Sequence, residues 1–322
     1  MQNNKESKKC LLIIPKSFYS FHEYLEQTLN NLNYDVSIAN EEYPENTIGK
    51  LMGKLHIPLL LTITEKVITR DYLNGKKYDL VLIIKGRGMS KSLIDKLKIA
   101  SPQIIGYNFD SFKYHKAPLN WHMYLNKYCT FDYRDAEKYS LPVVELFSSI
   151  SKVQGPKAIE YTVSAILRNH SDRLKYIDNV LKLLNAEKIY IFIYEQNAFT
   201  FCINFFKNPL LYLKYKKYIS FKSLRYQDYI DVLQKSNFTI DYAHPKQSGI
   251  TMRCFEALST KTKIISNNSY LKRSPYFNDN NAIIYNETTN NGFLKDQFEK
   301  IFNVKPAGFH RTISDFIHDL IA

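Results

Sequence analysis

The chain has 322 residues, 45% of them hydrophobic and 23% charged, a composition that suits a folded protein of two domains and excludes a disordered chain. Its formal net charge of +13 suits nucleic acid, an anionic lipid leaflet or a phosphorylated ligand, and equally a lysine-rich surface that keeps the protein in solution. Four scattered cysteines without a CxxC pair argue against a disulfide scaffold or zinc site, and no apolar run approaches the roughly 20 residues that span a bilayer, so the expected location is the cytoplasm.

The first half of the chain alternates between strand and helix patterns. Short apolar or alternating runs predict strands, and leucines at helical spacing predict helices. The predicted strands are 9–15, 34–39, 78–86 and 103–110, and the predicted helices are 22–32 and 92–100. Residues 51–73 have a mixed helix and loop pattern broken at Pro58, and residues 128–147 add a short helix and a last strand. This order predicts a parallel sheet with crossover helices.

The second half repeats this alternation after a polar stretch, SSISKVQGPKA at 148–158, which is the predicted linker. Predicted strands are 160–167, 188–194, 238–244, 263–267 and 281–286; predicted helices are 171–184, 197–206 up to Pro209, 223–236 with Ser223 as N-cap, and the chain end near 313–322. The expected fold is therefore α/β, with two Rossmann-like domains at 1–150 and 151–322 facing across a cleft. In doubly wound folds, ligands bind at the carboxyl ends of the strands.

One segment of the second half, HPKQSGITMRCFEAL at 244–258, carries the pattern of an anion site. Pro245 ends the preceding strand, and Gly249 permits an unusual backbone angle or the close approach of a ligand. A helix is predicted to begin near residue 250 or 251, with its first N–H groups open to a diphosphate. Arg253 and Glu256 share a helix face, so the guanidinium suits phosphate oxygens and the carboxylate suits a ribose diol. The same spacing also fits a surface ion pair.

The segment resembles the donor-binding region of GT-B glycosyltransferases, in which a Gly-containing loop leads into a helix whose Glu holds the nucleotide ribose. More closely, it is similar to bacterial surface-polysaccharide and lipopolysaccharide glycosyltransferases with the signature D-x-x-H-P-x-Q-x-G-[LI]-T-M-R-x-x-E-A-L. The matching residues are Asp241, His244, Pro245, Gln247, Gly249, Thr251, Met252, Arg253 and Glu256. The resemblance extends more weakly to the VLIIKG, YNFDS and FDYRD stretches of the first half. It implies a GT-B fold and a nucleotide-sugar donor.

The implied donor site contains His244, Gln247, Ser248, Gly249, Thr251, Arg253 and Glu256, and Arg173 is a further candidate to neutralise the diphosphate. Ser248 stands where many retaining GT-B enzymes have a second Glu, and Lys261 and Lys263 stand where Gly and Pro often occur, so a retaining mechanism is not carried over. The sequence has no HExxH, HxxxH or DxD pattern. GT-B enzymes typically stabilise the diphosphate with helix dipoles and cations, so no metal and no cofactor beyond the nucleotide sugar is expected.

The first half of the chain contains the residues expected to contact the acceptor. Asp110 follows a strand at its carboxyl end and is the first candidate for the base that takes the proton of the acceptor hydroxyl, ahead of His115 and Asp132. Asp110 equally suits the cap of a turn. Lys85 and Gly86 in KGRG are placed to meet phosphate or acceptor, although KGRG is neither a P-loop nor a GxGxxG fingerprint.

Residues 205–226 contain six basic residues and no acidic one, with aromatic and aliphatic side chains between them. The stretch suits a peripheral contact with an anionic membrane surface, a surface for single-stranded nucleic acid, or an ordinary helix–strand unit with exposed lysines. No nucleic-acid motif accompanies it, so nucleic acid ranks last among the partners.

The sequence and this resemblance therefore predict a glycosyltransferase that moves a sugar from a nucleotide-activated donor to a lipopolysaccharide or capsule glycan, free or lipid-linked, at the inner face of the cytoplasmic membrane. The alternative is a non-catalytic protein of the same pathway that binds a sugar nucleotide or a glycan.

Overall fold

The structure is a computed structural model that describes residues 7–16, 21–55, 57–150, 155, 158–286 and 288–322. Most of the predicted linker, residues 151–154 and 156–157, lies outside the described residues. The chain divides into two compact units. Unit 1 contains the described residues up to Leu146 together with Lys246–Gly249 and Ile313–Ala322, and unit 2 contains Phe147–Pro245 and Ile250–Thr312. Two late segments thus join the first unit.

Unit 1 is built on a five-stranded parallel sheet with strand order β2-β1-β3-β4-β5. Its strands are β1 Lys8–Ile13, β2 Tyr34–Ala39, β3 Leu80–Ile84, β4 Ile104–Asn108 and β5 Lys127–Thr130. Its helices are α1 Phe21–Asn31, α2 Thr47–Lys54, α3 Leu59–Ile68, α4 Lys91–Ala100, α5 Tyr133–Tyr139 and α12 Ile313–Ile321. All five residues of β3 and of β4 are buried, because a parallel sheet covered by helices removes both of its faces from water.

Unit 2 is built on a six-stranded parallel sheet with strand order β11-β10-β9-β6-β7-β8. Its strands are β6 Tyr161–Arg168, β7 Ile189–Tyr194, β8 Ile219–Ser220, β9 Ser236–Asp241, β10 Lys263–Ser266 and β11 Ala282–Ile284. Its helices are α6 Arg173–Leu184, α7 Ala198–Lys207, α8 Pro209–Tyr215, α9 Tyr226–Gln234, α10 Met252–Ser259 and α11 Asn291–Ile301. The predicted class, two α/β units with parallel sheets, is confirmed.

Several local predictions were wrong. α9 begins at Tyr226 with Arg225 in the N-cap position, so Ser223 does not cap it. The predicted last strand of the first half is reduced to a single bridge between Thr130 and Val143. Strand β8 was missed because two residues are too short to carry an alternating pattern. Pro209 ends α7 as expected, but it also starts α8, since proline is well tolerated in the first turn of a helix.

A buried lysine joins the sheet of unit 2 to α11. Lys263 in β10 is 1% exposed, and its Nζ donates to the carbonyl oxygens of Ile301, Phe302 and Val304 at 2.8, 2.8 and 2.9 Å. These carbonyls lie at and just beyond the end of α11, where backbone acceptors have no intrahelical partner. Lys263 therefore acts as a side-chain cap supplied by a neighbouring strand.

We expect Lys263→Met to lower the free energy of unfolding by about 2–4 kcal/mol, because three carbonyl groups lose a charged donor in a buried place. Lys295→Met, on the exposed face of α11, is the matched control and should change stability by less than about 0.5 kcal/mol. Urea denaturation of the two variants measures the difference. Equal stabilities would show that Lys263 does not hold the end of α11.

Candidate functional site

In unit 2, the carboxyl ends of β6 and β9 meet at the point where the strand order reverses. Crevices for ligands form at such switch points in doubly wound sheets. Five cationic or titratable nitrogen side chains come from β6, from the segments that follow β6 and β9, and from the starts of α6 and α10. We call them the cationic site: Arg168, His170, Arg173, His244 and Arg253.

Arg173 is the most deeply placed member of the cationic site. It is the first residue of α6 and only 8% exposed. Its Nη1 donates to the carbonyl oxygen of Arg168 at 3.4 Å, whereas its Nε has no hydrogen-bond partner within the described part of the chain. A buried guanidinium N–H is costly to leave unbonded. The arrangement therefore leaves Arg173 with hydrogen-bonding capacity for an anion.

Asp241, the last residue of β9, is a buried carboxylate of this region. It accepts the Thr251 hydroxyl at 3.0 Å and the Ser266 hydroxyl at 3.3 Å, and its Oδ1 lies 3.9 Å from Nε of Arg253. Nη1 of Arg253 donates to the carbonyl oxygen of Ile166 at 3.0 Å. Arg253 is thus oriented by β6 and β9, and it pairs with Asp241 rather than with Glu256.

The positive charges of the cationic site lie close enough to affect one another. Burial, followed by the neighbouring charge of Arg253, lowers the pKa of Arg173 to about 10. Burial, followed by the charges of Arg173, His244, Arg168 and Arg253, lowers the pKa of His170 to about 4. Burial is the largest cause of both shifts, and the smaller contributions of the neighbouring arginines mean that a further positive charge is unfavourable here. An anion with two or more charges would relieve this repulsion.

Two helix starts add to this positive charge. Thr251, the N-cap of α10, bonds through its hydroxyl to Asp241 and contacts Sγ of Cys254, but among the described residues it makes no capping bond to a backbone N–H. The Asp172 side chain makes no capping hydrogen bond to α6 in the described part of the chain. The first N–H groups of a helix have no intrahelical partner and carry its positive dipole end. α6 and α10 therefore offer backbone donors beside the arginines.

Glu256 is a residue of α10, is 5% exposed, and has its carboxylate in contact with α9. Its Oε1 accepts the hydroxyl of Tyr226 at 2.9 Å, and Tyr229 is a second hydrogen-bonding neighbour. Burial raises the pKa of Glu256 to about 7, while Tyr226, Tyr229 and Arg253 oppose that rise. The alternative interpretation, a surface ion pair between Arg253 and Glu256, is wrong, because Glu256 is buried. To hold a ribose diol, Glu256 has to exchange the tyrosine hydroxyl for a ribose hydroxyl.

The loop Lys246–Gly249, expected beside the donor, packs within unit 1. Asp132, the N-cap of α5, accepts the Ser248 N–H at 2.5 Å, the Ser248 hydroxyl at 2.7 Å and the Gly249 N–H at 3.3 Å. Asp132 is 1% exposed and also accepts the Asp135 N–H. These bonds give Asp132 a structural role and bring Ser248 and Gly249 to unit 1.

The close approach expected at Gly249 has a definite cause. A Cβ at this position would lie 2.1 Å from the Phe131 ring, which no side chain could tolerate. The approaching group is therefore Phe131 and not a ligand. A donor contact from Gln247, Ser248 or Gly249 remains a prediction.

Asp110, the candidate base, is engaged on both carboxylate oxygens. Nζ of Lys85 lies 3.1 Å from Oδ2, and Nε2 of Gln247 donates to Oδ1 at 3.3 Å. Lys85 and Gly86 have φ angles of 66° and 68°, and a Cβ on Gly86 would lie 2.5 Å from Trp121. Left-handed backbone at a non-glycine residue is rare and costs energy, so the packing of this turn fixes Lys85 beside Asp110.

Two further titratable groups of unit 1 lie near Lys85. Burial, followed by the charge of Arg87, lowers the pKa of His115 to about 4, so its imidazole is neutral at pH 7. Glu41 is 2% exposed and accepts the Arg87 N–H at 2.9 Å, and burial raises its pKa to about 7. Sequence reasoning missed Glu41, although it follows β2 at the same sheet edge as Lys85 and Asp110.

Each unit also has a cavity near the carboxyl ends of its strands. In unit 2, Tyr176, Tyr242, Tyr285 and Asn267 line a cavity of about 550 Å³. In unit 1, a cavity of about 430 Å³ is lined by five basic residues: Lys113, Lys116, Arg134, Lys138 and Lys246. Asp132 and Asp135 also line the second cavity, but both accept backbone N–H bonds.

The chain matches no protein-family model and no curated protein. Solved structures do match over nearly the whole chain. A glycosyltransferase from Rickettsia africae has 14% identity and a TM-score of 0.56, covering 97% of this chain and 92% of its own. MurG of Acinetobacter baumannii has 12% identity and a TM-score of 0.53, covering 98% of both chains. A UDP-GlcNAc 2-epimerase from Methanocaldococcus jannaschii, solved with UDP-GlcNAc and UDP, has 14% identity and a TM-score of 0.56, covering 98% and 99%.

The chain has the GT-B fold. At these identities the likeness concerns the fold alone, and both glycosyl transfer and epimerisation occur among the GT-B neighbours. The fold is therefore compatible with both reactions, and the chemistry depends on the cationic site and on the unit 1 residues around Lys85 and Asp110.

Proposed function

We propose that the protein is a glycosyltransferase that moves a sugar from a nucleotide-activated donor to a surface glycan of the lipopolysaccharide or capsule type. The observation that carries the proposal is Arg173, a buried arginine at a helix start, with an Nε that has no partner in the described part of the chain. Arg168 and Arg253 stand near it, and Asp241 is the neighbouring carboxylate. This arrangement suits the diphosphate of a nucleotide sugar.

The proposal assigns the donor to unit 2. Arg173 and Arg253 neutralise the diphosphate together with the first N–H groups of α6 and α10, and Glu256 holds the ribose. Thr251 and His244 lie at the same end of the sheet and take the remaining polar contacts. Positive charge that is already in place stabilises the diphosphate as the sugar leaves it, so we propose that transfer requires no metal and no further cofactor.

The acceptor is assigned to unit 1. The acceptor oxygen attacks the anomeric carbon, its proton passes to Asp110, and the bond between the sugar and the phosphate breaks with both electrons remaining on the nucleotide. Asp110 has to release Gln247 or Lys85 to take that proton. Lys85 then remains available to hold the acceptor.

The basic cavity of unit 1 supports an acidic acceptor. Five lysine and arginine side chains line it, whereas the two carboxylates there are bound to backbone N–H groups. Acidic and phosphorylated sugars are complementary to such a cavity. We therefore propose a lipopolysaccharide or capsule glycan as acceptor and the inner face of the cytoplasmic membrane as the place of reaction.

Thermal-shift measurements with nucleoside mono- and diphosphates identify the nucleotide of the donor. Transfer is then measured with the radiolabelled donor and bacterial glycolipid extracts. Asp110→Asn is expected to bind the nucleotide normally and to lose transfer by about 10²–10⁴-fold, the range that a positioned base contributes. Asp95→Asn, a carboxylate in the exposed Lys91 pair, is the matched control and should transfer normally.

Nucleotide binding without turnover by the wild-type protein would favour the non-catalytic alternative. Conversion of the donor to an epimer without transfer would replace the proposed reaction. Normal transfer by Asp110→Asn would remove Asp110 as the base.

A further inference from the structure

Helix α7 has an unusual surface for a helix of a folded domain. Its sequence is AFTFCINFFK, and none of its ten residues is buried. An apolar helix normally packs its hydrophobic side chains against the core. The start of α7 nevertheless has a capping box, in which Asn197 and Thr200 exchange hydrogen bonds. The exposed apolar surface therefore belongs to a formed helix.

The exposed side chains of α7 continue onto α8 and the segment after β8. Phe206 is 80% exposed, Leu210 83% and Phe199 73%. The ring of Phe201 contacts Phe221 across the two segments, which joins them into one surface. We call this surface the apolar patch: Phe199, Ile203, Phe206, Leu210, Leu213 and Phe221.

The apolar patch lies in a segment whose charged residues are all basic. Residues 196–227 contain six basic residues and no acidic one. Lys207, Lys216, Lys217 and Lys222 are exposed. Of the nearby carboxylates, Glu195 accepts the Tyr212 hydroxyl beneath the surface, buried Asp178 pairs with Lys214, and Asp228 pairs with Arg225. The patch is therefore bordered by lysines whose charge the local carboxylates do not cancel.

We propose that the apolar patch docks on an anionic phospholipid surface, with Phe206 and Leu210 entering the interfacial layer and the bordering lysines at the lipid headgroups. Apolar side chains on one face with lysines around them is the pattern of helices that lie in a membrane interface. Docking does not depend on the proposed reaction, so vesicle binding tests it independently of glycosyl transfer.

Charge complementarity selects this occupant over two others. A second copy of the chain would form a two-fold interface that brings the same lysines together, which is unfavourable. Single-stranded nucleic acid binds by stacking its bases on aromatic rings, whereas Leu210 and Leu213 are aliphatic and Leu210 is the most exposed member of the patch. A bilayer surface accommodates aliphatic and aromatic groups equally.

A second row of exposed apolar side chains lies on α2 and includes Ile48, Leu51 and Leu55. Its segment, residues 41–59, has three acidic and two basic residues and so lacks the positive excess of residues 196–227. An anionic surface therefore favours the apolar patch of unit 2.

Co-sedimentation with phosphatidylglycerol vesicles and with phosphatidylcholine vesicles tests the proposal. The wild-type protein is expected to bind the anionic vesicles at least about tenfold more tightly. Phe206→Ser combined with Leu210→Ser is expected to reduce that binding at least about tenfold, since both apolar anchors are lost. The matched control is Ile99→Ser combined with Met123→Ser, two exposed apolar residues of unit 1, which should bind like wild type.

A fluorescence reporter tests the geometry without removing the patch. Trp121 is the single tryptophan of the chain and is 1% exposed, so its emission should not respond to vesicles. Phe206→Trp is expected to shift its emission to the blue and to be quenched by brominated lipid. Ile99→Trp is expected to show neither effect.

Wild-type binding by the Phe206→Ser, Leu210→Ser variant would overturn the proposal, as would a loss of binding confined to Leu51→Ser, Leu55→Ser on α2. A stable dimer that dissociates in the patch variant, or oligonucleotide binding in place of vesicle binding, would assign the patch to a different partner and would also overturn it.

Discussion

Arg173→Met should weaken nucleoside-diphosphate binding by about ten- to a hundredfold. Each hydrogen bond from a charged donor contributes about 1.5–3 kcal/mol, and every 1.4 kcal/mol corresponds to a tenfold change in affinity. Arg173 is buried, and its Nε has no partner in the described part of the chain, so a phosphate would gain a new bond there without breaking one.

The same substitution should leave the fold intact. Nη1 of Arg173 makes one long bond, 3.4 Å, to the Arg168 carbonyl. Its removal also relieves repulsion from Arg253, which together with the larger effect of burial lowers the pKa of Arg173 to about 10. Methionine fills a similar volume without charge, so we expect the free energy of unfolding to be equal or higher.

Isothermal titration calorimetry with the nucleotide found in the thermal-shift panel measures the affinity, and urea denaturation measures the fold. Arg225→Met is the matched control, because Arg225 is an exposed arginine of unit 2 that pairs with Asp228. Its affinity should stay at the wild-type value. Unchanged affinity in Arg173→Met would place the diphosphate elsewhere.

The α/β alternation could be predicted because its signals are local. The apolar run at 9–15 and the run at 78–86 correspond to the central strands β1 and β3, which pair directly in the sheet. A strand buried on both faces has to be apolar throughout, and that requirement is visible within a few residues.

The partners of the polar residues could not be predicted in the same way. Ser248 is bonded to Asp132, which lies 116 residues earlier in the chain. Arg253 and Glu256 were placed correctly on one helix, but Arg253 pairs with Asp241 while Glu256 accepts a bond from Tyr226. Helical spacing predicts which side chains are neighbours on one helix. The residue to which each of them bonds depends on how other elements pack against that helix.

Glu256→Gln should raise stability at pH 8 and, at the same pH, weaken nucleotide binding. In the folded protein, burial raises the pKa of Glu256 from 4.5 to about 7. The folded state therefore binds more protons than the unfolded state between these values, and stability falls as pH rises through this window. Ionised Glu256 lowers the free energy of unfolding by about 3 kcal/mol above pH 7, and this loss vanishes below pH 4.5. Glu256→Gln avoids the loss because an amide does not ionise.

The nucleotide affinity of the wild-type protein should rise with pH, whereas its stability falls. An ionised carboxylate can accept both hydroxyls of a ribose diol, whereas an amide offers one neutral acceptor. Wild-type affinity for the nucleotide is therefore expected to rise as pH passes 7, and Glu256→Gln should bind about tenfold or more weakly at pH 8 with a flat profile. Thermal denaturation and calorimetry across pH 4.5–8.5 measure the two effects.

Glu41→Gln provides a matched control, since Glu41 is also buried and its pKa is also raised to about 7 by burial. It should show the same pH-dependent gain in stability, because the desolvation cost of a buried carboxylate is removed in both variants. Its nucleotide affinity should follow the wild-type pH profile, because Glu41 lies in unit 1. If Glu256→Gln gains stability and still binds the nucleotide as tightly as wild type, the carboxylate is a buried structural group bonded to Tyr226, and the ribose is held by other residues.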